Sequence, residues 1–150
     1  MLGRLLTSLA VFCSLFGLTS HAKAQLPPVS LSTPSIAAQN YVGQGNIVHY
    51  QIKGATSASG FPAGTQSVDV SFKFYTRQNA NFPWVLDIQT GVTTAPVNGA
   101  VSVDTGYLGF NPSQGFDYRV VVSGQYTTPG GNPVVNIMAP KESAVIVTRP

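Results

Sequence analysis

Between Ser67 and Arg77 apolar and polar side chains alternate without a break. Val68, Val70, Phe72 and Phe74 fall on one face, and Asp69, Ser71 and Lys73 on the other. A period of two marks a strand with one wet face, because successive side chains leave a pleated backbone on opposite sides. The same period recurs along the chain, and no segment carries the spacing of an amphipathic helix. Val29–Ser32 follows Pro27-Pro28 and is short, as edge strands often are. Asn46–Lys53 groups Val48, Tyr50 and Ile52, with His49 and Gln51 opposite. Phe82–Gln89 groups Phe82, Trp84, Leu86 and Ile88 and turns Asp87 to water. Ala100–Thr105 follows an Asn98-Gly99 turn signal, Phe116–Thr127 runs through Val120 and Val122, and Ser143–Arg149 closes the chain.

Gly54–Gln66, Gln78–Asn81, Thr90–Gly99, Gly106–Gly115 and Thr128–Pro133 are turn-rich and read as connections. About seven short strands joined in this way predict an all-β fold, a single antiparallel two-sheet sandwich. Its core is expected to hold Val48, Tyr50, Val70, Phe72, Phe74, Trp84, Leu86, Val120 and Val122. Gly54–Gln66, built from Ala, Thr, Ser and Gly around Phe61-Pro62, is read as a mobile loop.

The N-terminus carries a different message. Arg4 precedes the apolar run Leu5–Leu18, and Ala22-Lys23-Ala24 places small residues where a signal peptidase wants them. This is the order of a secretory signal peptide over residues 1–24, with cleavage expected before Gln25. The 14-residue run is too short to cross a hydrocarbon core of about 30 Å as a helix. The expected product is a secreted or periplasmic domain of residues 25–150, with no membrane span once the signal is removed. Cys13 leaves with the signal, so that product has no disulfide and relies on its apolar core.

Residues 25–150 keep six basic and five acidic side chains, a net charge of +1 spread thinly along the sequence. Without a basic cluster, nucleic acid is not an expected partner. Their one histidine, His49, shares a polar strand face with Gln51 and Lys53, and no Gly-x-Ser-x-Gly elbow accompanies it. One His and no Cys do not make a zinc site, and no run of closely spaced acids suggests calcium. Asp69, Asp87, Asp104 and Asp117 lie singly on separate segments and read as the wet face of a sheet, not as a glycosidase pair. No catalytic residue, metal or other cofactor is expected. If Ser67–Arg77 pairs antiparallel with Phe116–Thr127, keeping Lys73 away from Arg119 predicts partner numbers summing to 190 or 188. Lys73 would then face Asp117, or Asp69 would face Arg119.

Recognition falls to aromatic residues. Trp84 shares its face with Phe82, Leu86 and Ile88 and is assigned to the core. Phe61, Tyr107 and Phe110 lie in loop-like sequence and are the candidate ligand-binding rings. The leading expectation is a non-enzymatic binding or structural module whose partner is an extracellular protein or a surface polymer. The alternative is a small carbohydrate-binding module using those loop aromatics, and the weakest reading is a hydrolase whose acids meet only in three dimensions.

Two stretches resemble a fibronectin type III domain. Phe110-Asn111-Pro112 followed by Tyr118-Arg119-Val120-Val121-Val122 is similar to the family's corner, where a Tyr opens the sixth strand. Glu142–Thr148 is similar to its final strand, which makes Val68–Phe74 the third. A neighbouring immunoglobulin-like or adhesin-type sandwich fits nearly as well. The resemblance implies that the Tyr118 ring is buried and that its hydroxyl bonds backbone near Phe110–Ser113.

Overall fold

The computed structural model describes residues 28–42, 44–46, 48–110, 116–128, 130 and 133–147, with backbone alone for Tyr41, Asn46, Val48, His49 and Phe110. The expected signal peptide therefore lies outside the described residues. Among the described residues ten strands follow in order: β1 (Ser30–Leu31), β2 (Ser35–Val42), β3 (Val48–Ser59), β4 (Val68–Arg77) and β5 (Val85–Thr94), then β6 (Ala100–Asp104), β7 (Leu108–Phe110), β8 (Asp117–Thr127), β9 (Val135–Glu142) and β10 (Ile146–Val147). They form two antiparallel five-stranded sheets, an all-β sandwich.

Several strands share one side of a longer partner. On β3, β2 pairs with residues 48–55 and β1 with 58–59, while β7 and β6 pair with 50–52 and 55–59. A strand has only two edges, so β1 and β2 follow one edge of β3 in succession and β6 and β7 the other. Likewise β9 and β10 share the edge of β8 opposite β4. The sandwich thus sets three columns, β1/β2–β3–β6/β7, against four, β5–β4–β8–β9/β10.

Each broken edge column is stitched in one way. Ser32, Thr105 and Ser143 sit in the three gaps, and their N–H groups donate to the carbonyls of Ser57, Gly54 and Val120 (2.7, 3.0 and 2.9 Å). The N–H of the same three partners donates back to the side-chain hydroxyl of Ser32, Thr105 or Ser143 (3.0, 3.2 and 3.0 Å). A hydroxyl replaces the carbonyl that a continuous strand would have offered, so the long strand keeps its donor satisfied where its neighbour bends away.

The core lies between the inner faces. Val68, Val70, Phe72 and Phe74 of β4 meet Tyr118, Val120 and Val122 of β8, and Ile52 reaches them from β3; all are at most 1% exposed. The alternation in Ser67–Arg77 thus has the expected sense. Val48 lies outside the residues whose side chains are described. Asn98 and Gly99 have φ of 52° and 72° and join Val97 to Ala100 by a tight hairpin turn, a conformation that favours Asn-Gly.

Other expectations are corrected. β2 and β9 are strands that alternation did not reveal, because both are edge strands with most side chains in water. Gly54–Gln66 does not form one mobile loop: β3 continues to Ser59 and Phe61 is buried. Gly54 marks a close approach, since a Cβ there would stand 3.0 Å from Phe74 Cζ and 3.1 Å from Phe72 Cδ1.

The fourth expected strand runs later, over Val85–Thr94, and contains a bulge. Phe74 faces Ile88, but Tyr75 faces Leu86, so Asp87 is an extra residue. One unpaired residue reverses the alternation of everything before it. Trp84 and Leu86 leave the core for the outer face, where Leu86 is 45% exposed and Trp84 half-buried. Phe82, in the preceding turn, is 49% exposed.

The register between β4 and β8 also differs. Phe72 faces Val122 and Phe74 faces Val120, a sum of 194 in place of 190 or 188. This alignment keeps Lys73 away from Arg119 by setting it against Val121, and it brings Arg77 opposite Asp117 at the strand end. Asp117 does pair with a base, but with Arg77; Asp69 faces the neutral Gln125.

Candidate functional site

The bulge at Asp87 assembles a cluster on the outer face of the four-column sheet. Tyr75 and Arg77 project outward from β4, and Arg119, directly opposite Tyr75, projects from β8. Trp84 reaches over them from the start of β5. The Arg77 and Arg119 guanidinium carbons lie 4.4 and 4.5 Å from the Trp84 ring centre, and that of Arg119 lies 5.3 Å from the Tyr75 ring. The groups form the series Tyr75–Arg119–Trp84–Arg77, in which cations lie over the electron-rich faces of aromatic rings.

Carboxylates hold the two cations in place. Arg77 Nε donates to Asp117 Oδ2 at 3.0 Å, with the Asp117 side chain only 5% exposed. Arg119 Nη1 donates to Glu142 Oε1 at 2.6 Å, a more open pair. The cluster is thus nearly neutral, with its planar groups fixed by stacking and ion pairing. Beside it Phe82, Val85 and Leu86 are exposed. Further along the face, a shallow groove of about 310 Å³ runs between Asp69, Ser71, Ser123, Gln125 and Ile137. The Gly124 backbone also lines it; on the inner side a Cβ at Gly124 would require the Met138 methyl to shift.

Of the three loop aromatics, Phe61 and Tyr107 are not brought together. Phe61 is 6% exposed and packs edge-to-face on Tyr126, with ring centres 5.3 Å apart, so it plugs one end of the sandwich. Tyr107 is 42% exposed, with the Lys53 ammonium 5.5 Å from its ring. Phe110 faces Tyr50 in the β3–β7 ladder, and its side chain lies outside the described residues. Leu108 faces Ile52, so Tyr107 stands level with Lys53, six residues along β3 from the Ser59 end where Phe61 lies, roughly 20 Å at about 3.4 Å per residue.

Asp69 and Asp104 lie away from the cluster that holds Asp117 and Glu142. Asp69 accepts from Thr93 Oγ1 at 2.7 Å and Gln125 Nε2 at 3.4 Å, and Asp104 accepts from the Gly106 N–H at 2.9 Å. Asp69 and Asp117 lie eight rungs apart on the β4–β8 ladder, roughly 27 Å at about 3.4 Å per residue. Asp87 is exposed in the bulge, with its carboxyl raised above the usual range by partial desolvation. The His49 side chain lies outside the described residues.

Sequence reading missed the Trp84 cluster because it assigned Trp84 to the core. A signal was present in the parity of Tyr75, Arg77 and Arg119, which share the outer face once the 194 register is known. No family model matches the chain, and no curated protein does.

Proposed function

We propose that the chain is an exported, non-enzymatic sandwich module of fibronectin type III type that binds an extracytoplasmic protein through the face around Trp84. The family reading is supported by the order of columns, three against four with the third and sixth columns paired at the centre of the larger sheet. It is further supported by Tyr118, whose ring is fully buried at the start of β8. The expected partner of its hydroxyl is backbone near Phe110–Ser113, of which residues 111–113 lie outside the described residues.

One observation carries the binding reading: a tryptophan, a tyrosine and two arginines are held in fixed stacking geometry beside exposed Phe82 and Leu86. Tyr, Trp and Arg dominate the energetic centres of protein interfaces, and prior immobilisation reduces the entropy lost on binding. The same stacking makes Trp84 a poor sugar platform, since two guanidinium groups already lie over its ring. The two carboxylates of the cluster, Asp117 and Glu142, are each tied to an arginine, and Asp69 lies far from them, which supports the non-enzymatic part of the reading.

A photo-crosslinking residue at position 86, in cells that export the chain, is expected to capture a protein. The same residue at Ser102, on the other sheet, serves as the control. Equal capture at both positions, or none at 86, overturns the site. The carbohydrate reading now rests on Tyr107, the one of the three loop rings that is described as exposed. Polysaccharide binding lost on Tyr107→Ala and untouched by Leu86→Asp would favour it.

A further inference from the structure

Among the described residues the sandwich has four open column edges, and three of them carry features that discourage another strand from pairing there. β5 has its bulge and Asp87. The β9/β10 column has a register shift, Pro140, Lys141 and Glu142, and the β6/β7 column is broken into five and three residues and bears Asp104. Such interruptions and charges are the usual protection against edge-to-edge association. The β1/β2 column is broken as well, at Ser32–Pro34, but β2 itself carries no bulge, charge or proline. Its eight residues, Ser35–Val42, contain no charge, proline or glycine, and they pair with β3 in unbroken register. About half of these residues must turn their N–H and C=O groups away from β3, toward the open side.

We infer that β2 is a homotypic docking edge: two copies of this chain pair antiparallel through it, with Gln39 on the two-fold axis, and join their three-column sheets into one. A strand that meets its own copy meets its own charges, so an uncharged edge suits self-pairing. The nearest outward cation, Lys53 on β3, would be separated from its symmetry mate by three strand spacings, about 14 Å, well beyond a Debye length of about 8 Å.

Symmetry and side-chain chemistry together choose the register. When two copies continue a sheet with the same face outward, opposite residues must share parity, so their numbers sum to an even value. Sums of 76 and 78 give the longest overlap. Gln39 Nε2 donates to Gln51 Oε1 at 2.8 Å on the outer face, which leaves its own Oε1 and a second amide hydrogen for a neighbour. A sum of 78 sets Gln39 against Gln39 of the second copy, where the two amides can bond reciprocally and extend a four-residue glutamine ladder. Ala38 then faces Asn40 and Ile36 faces Val42.

Sedimentation equilibrium of the purified chain tests this, together with Gln39→Lys and Gln39→Glu. Gln39 is exposed, and circular dichroism checks that both variants fold. The unaltered chain is expected to dimerise with rising concentration. Each variant alone should associate at least tenfold more weakly, since like charges then meet on the axis, and an equimolar mixture of the two should recover the dimer as a heterodimer. A chain that stays monomeric overturns the inference, as does a dimer indifferent to both variants. Loss of association in each variant without recovery on mixing overturns the Gln39 axis.

Discussion

Ser143 and Val120 exchange two hydrogen bonds across the break between β9 and β10: Ser143 N–H to Val120 C=O at 2.9 Å, and Val120 N–H to Ser143 Oγ at 3.0 Å. The second is buried, whereas its counterpart from Ser57 N–H to Ser32 Oγ is exposed. Water can replace the Ser32 hydroxyl but has no comparable access to Val120. Ser143→Ala is therefore expected to cost about 1–3 kcal/mol, the price of an unsatisfied buried donor, and Ser32→Ala less than about 1 kcal/mol. Urea unfolding of the two variants checks the difference.

The two ion pairs of the Trp84 face should differ in the same way. Removing Arg77 leaves the Asp117 carboxylate nearly buried without its cation, and Arg77→Met is expected to cost about 2–4 kcal/mol. Glu142 is 48% exposed, so Glu142→Gln should cost less than about 1 kcal/mol. Equal losses in thermal unfolding would show that Asp117 does not depend on Arg77.

Gly54→Ala would push a methyl group into the rings of Phe72 and Phe74. In a packed core such an intrusion costs about 1–3 kcal/mol. Phe74→Ala alone should cost about 3–5 kcal/mol. Because it also removes the nearest obstructing atoms, the double variant should lose less than the two singles together, with a coupling of about 0.5–3 kcal/mol. Strict additivity would deny the contact.

Tyr118 makes the fold sensitive to alkali. Burial pushes its phenol from the usual 10 up to about 12, with the Thr76 hydroxyl pulling the other way and the Asp87 carboxylate adding to the rise. The folded state therefore holds this proton more tightly than the unfolded chain. Its contribution is fully present below pH 10 and is lost as pH rises toward about 12. At about 1.4 kcal/mol per pH unit the loss reaches about 2–3 kcal/mol. Tyr118→Phe should flatten the stability profile above pH 10, and an unchanged alkaline limb would contradict the burial.

The central strands were legible because they obey one rule along their whole length. Val68–Phe74 and Val120–Val122 alternate, face inward and are buried. The edges were not, since β2 and β9 bury little and thus leave little periodic trace. Register escaped for a related reason: avoidance of Lys73 facing Arg119 admits several alignments, and hydrophobic matching plus the terminal Arg77–Asp117 pair selects 194. The Trp84 cluster was hidden by an unpaired residue that strict alternation cannot accommodate.

That residue, Asp87, is the one the β4–β5 ladder does not count. Without it, Trp84, Val85, Leu86 and Ile88 would read outward, inward, outward, inward, an ordinary strand that keeps Ile88 against Phe74 and Leu86 against Tyr75. A shorter homologue could therefore present the same outer face while looking more regular in sequence. Ancestry traced through this segment would then have to allow a one-residue gap. An ungapped alignment would match Trp84 to a core position and misplace the whole surface.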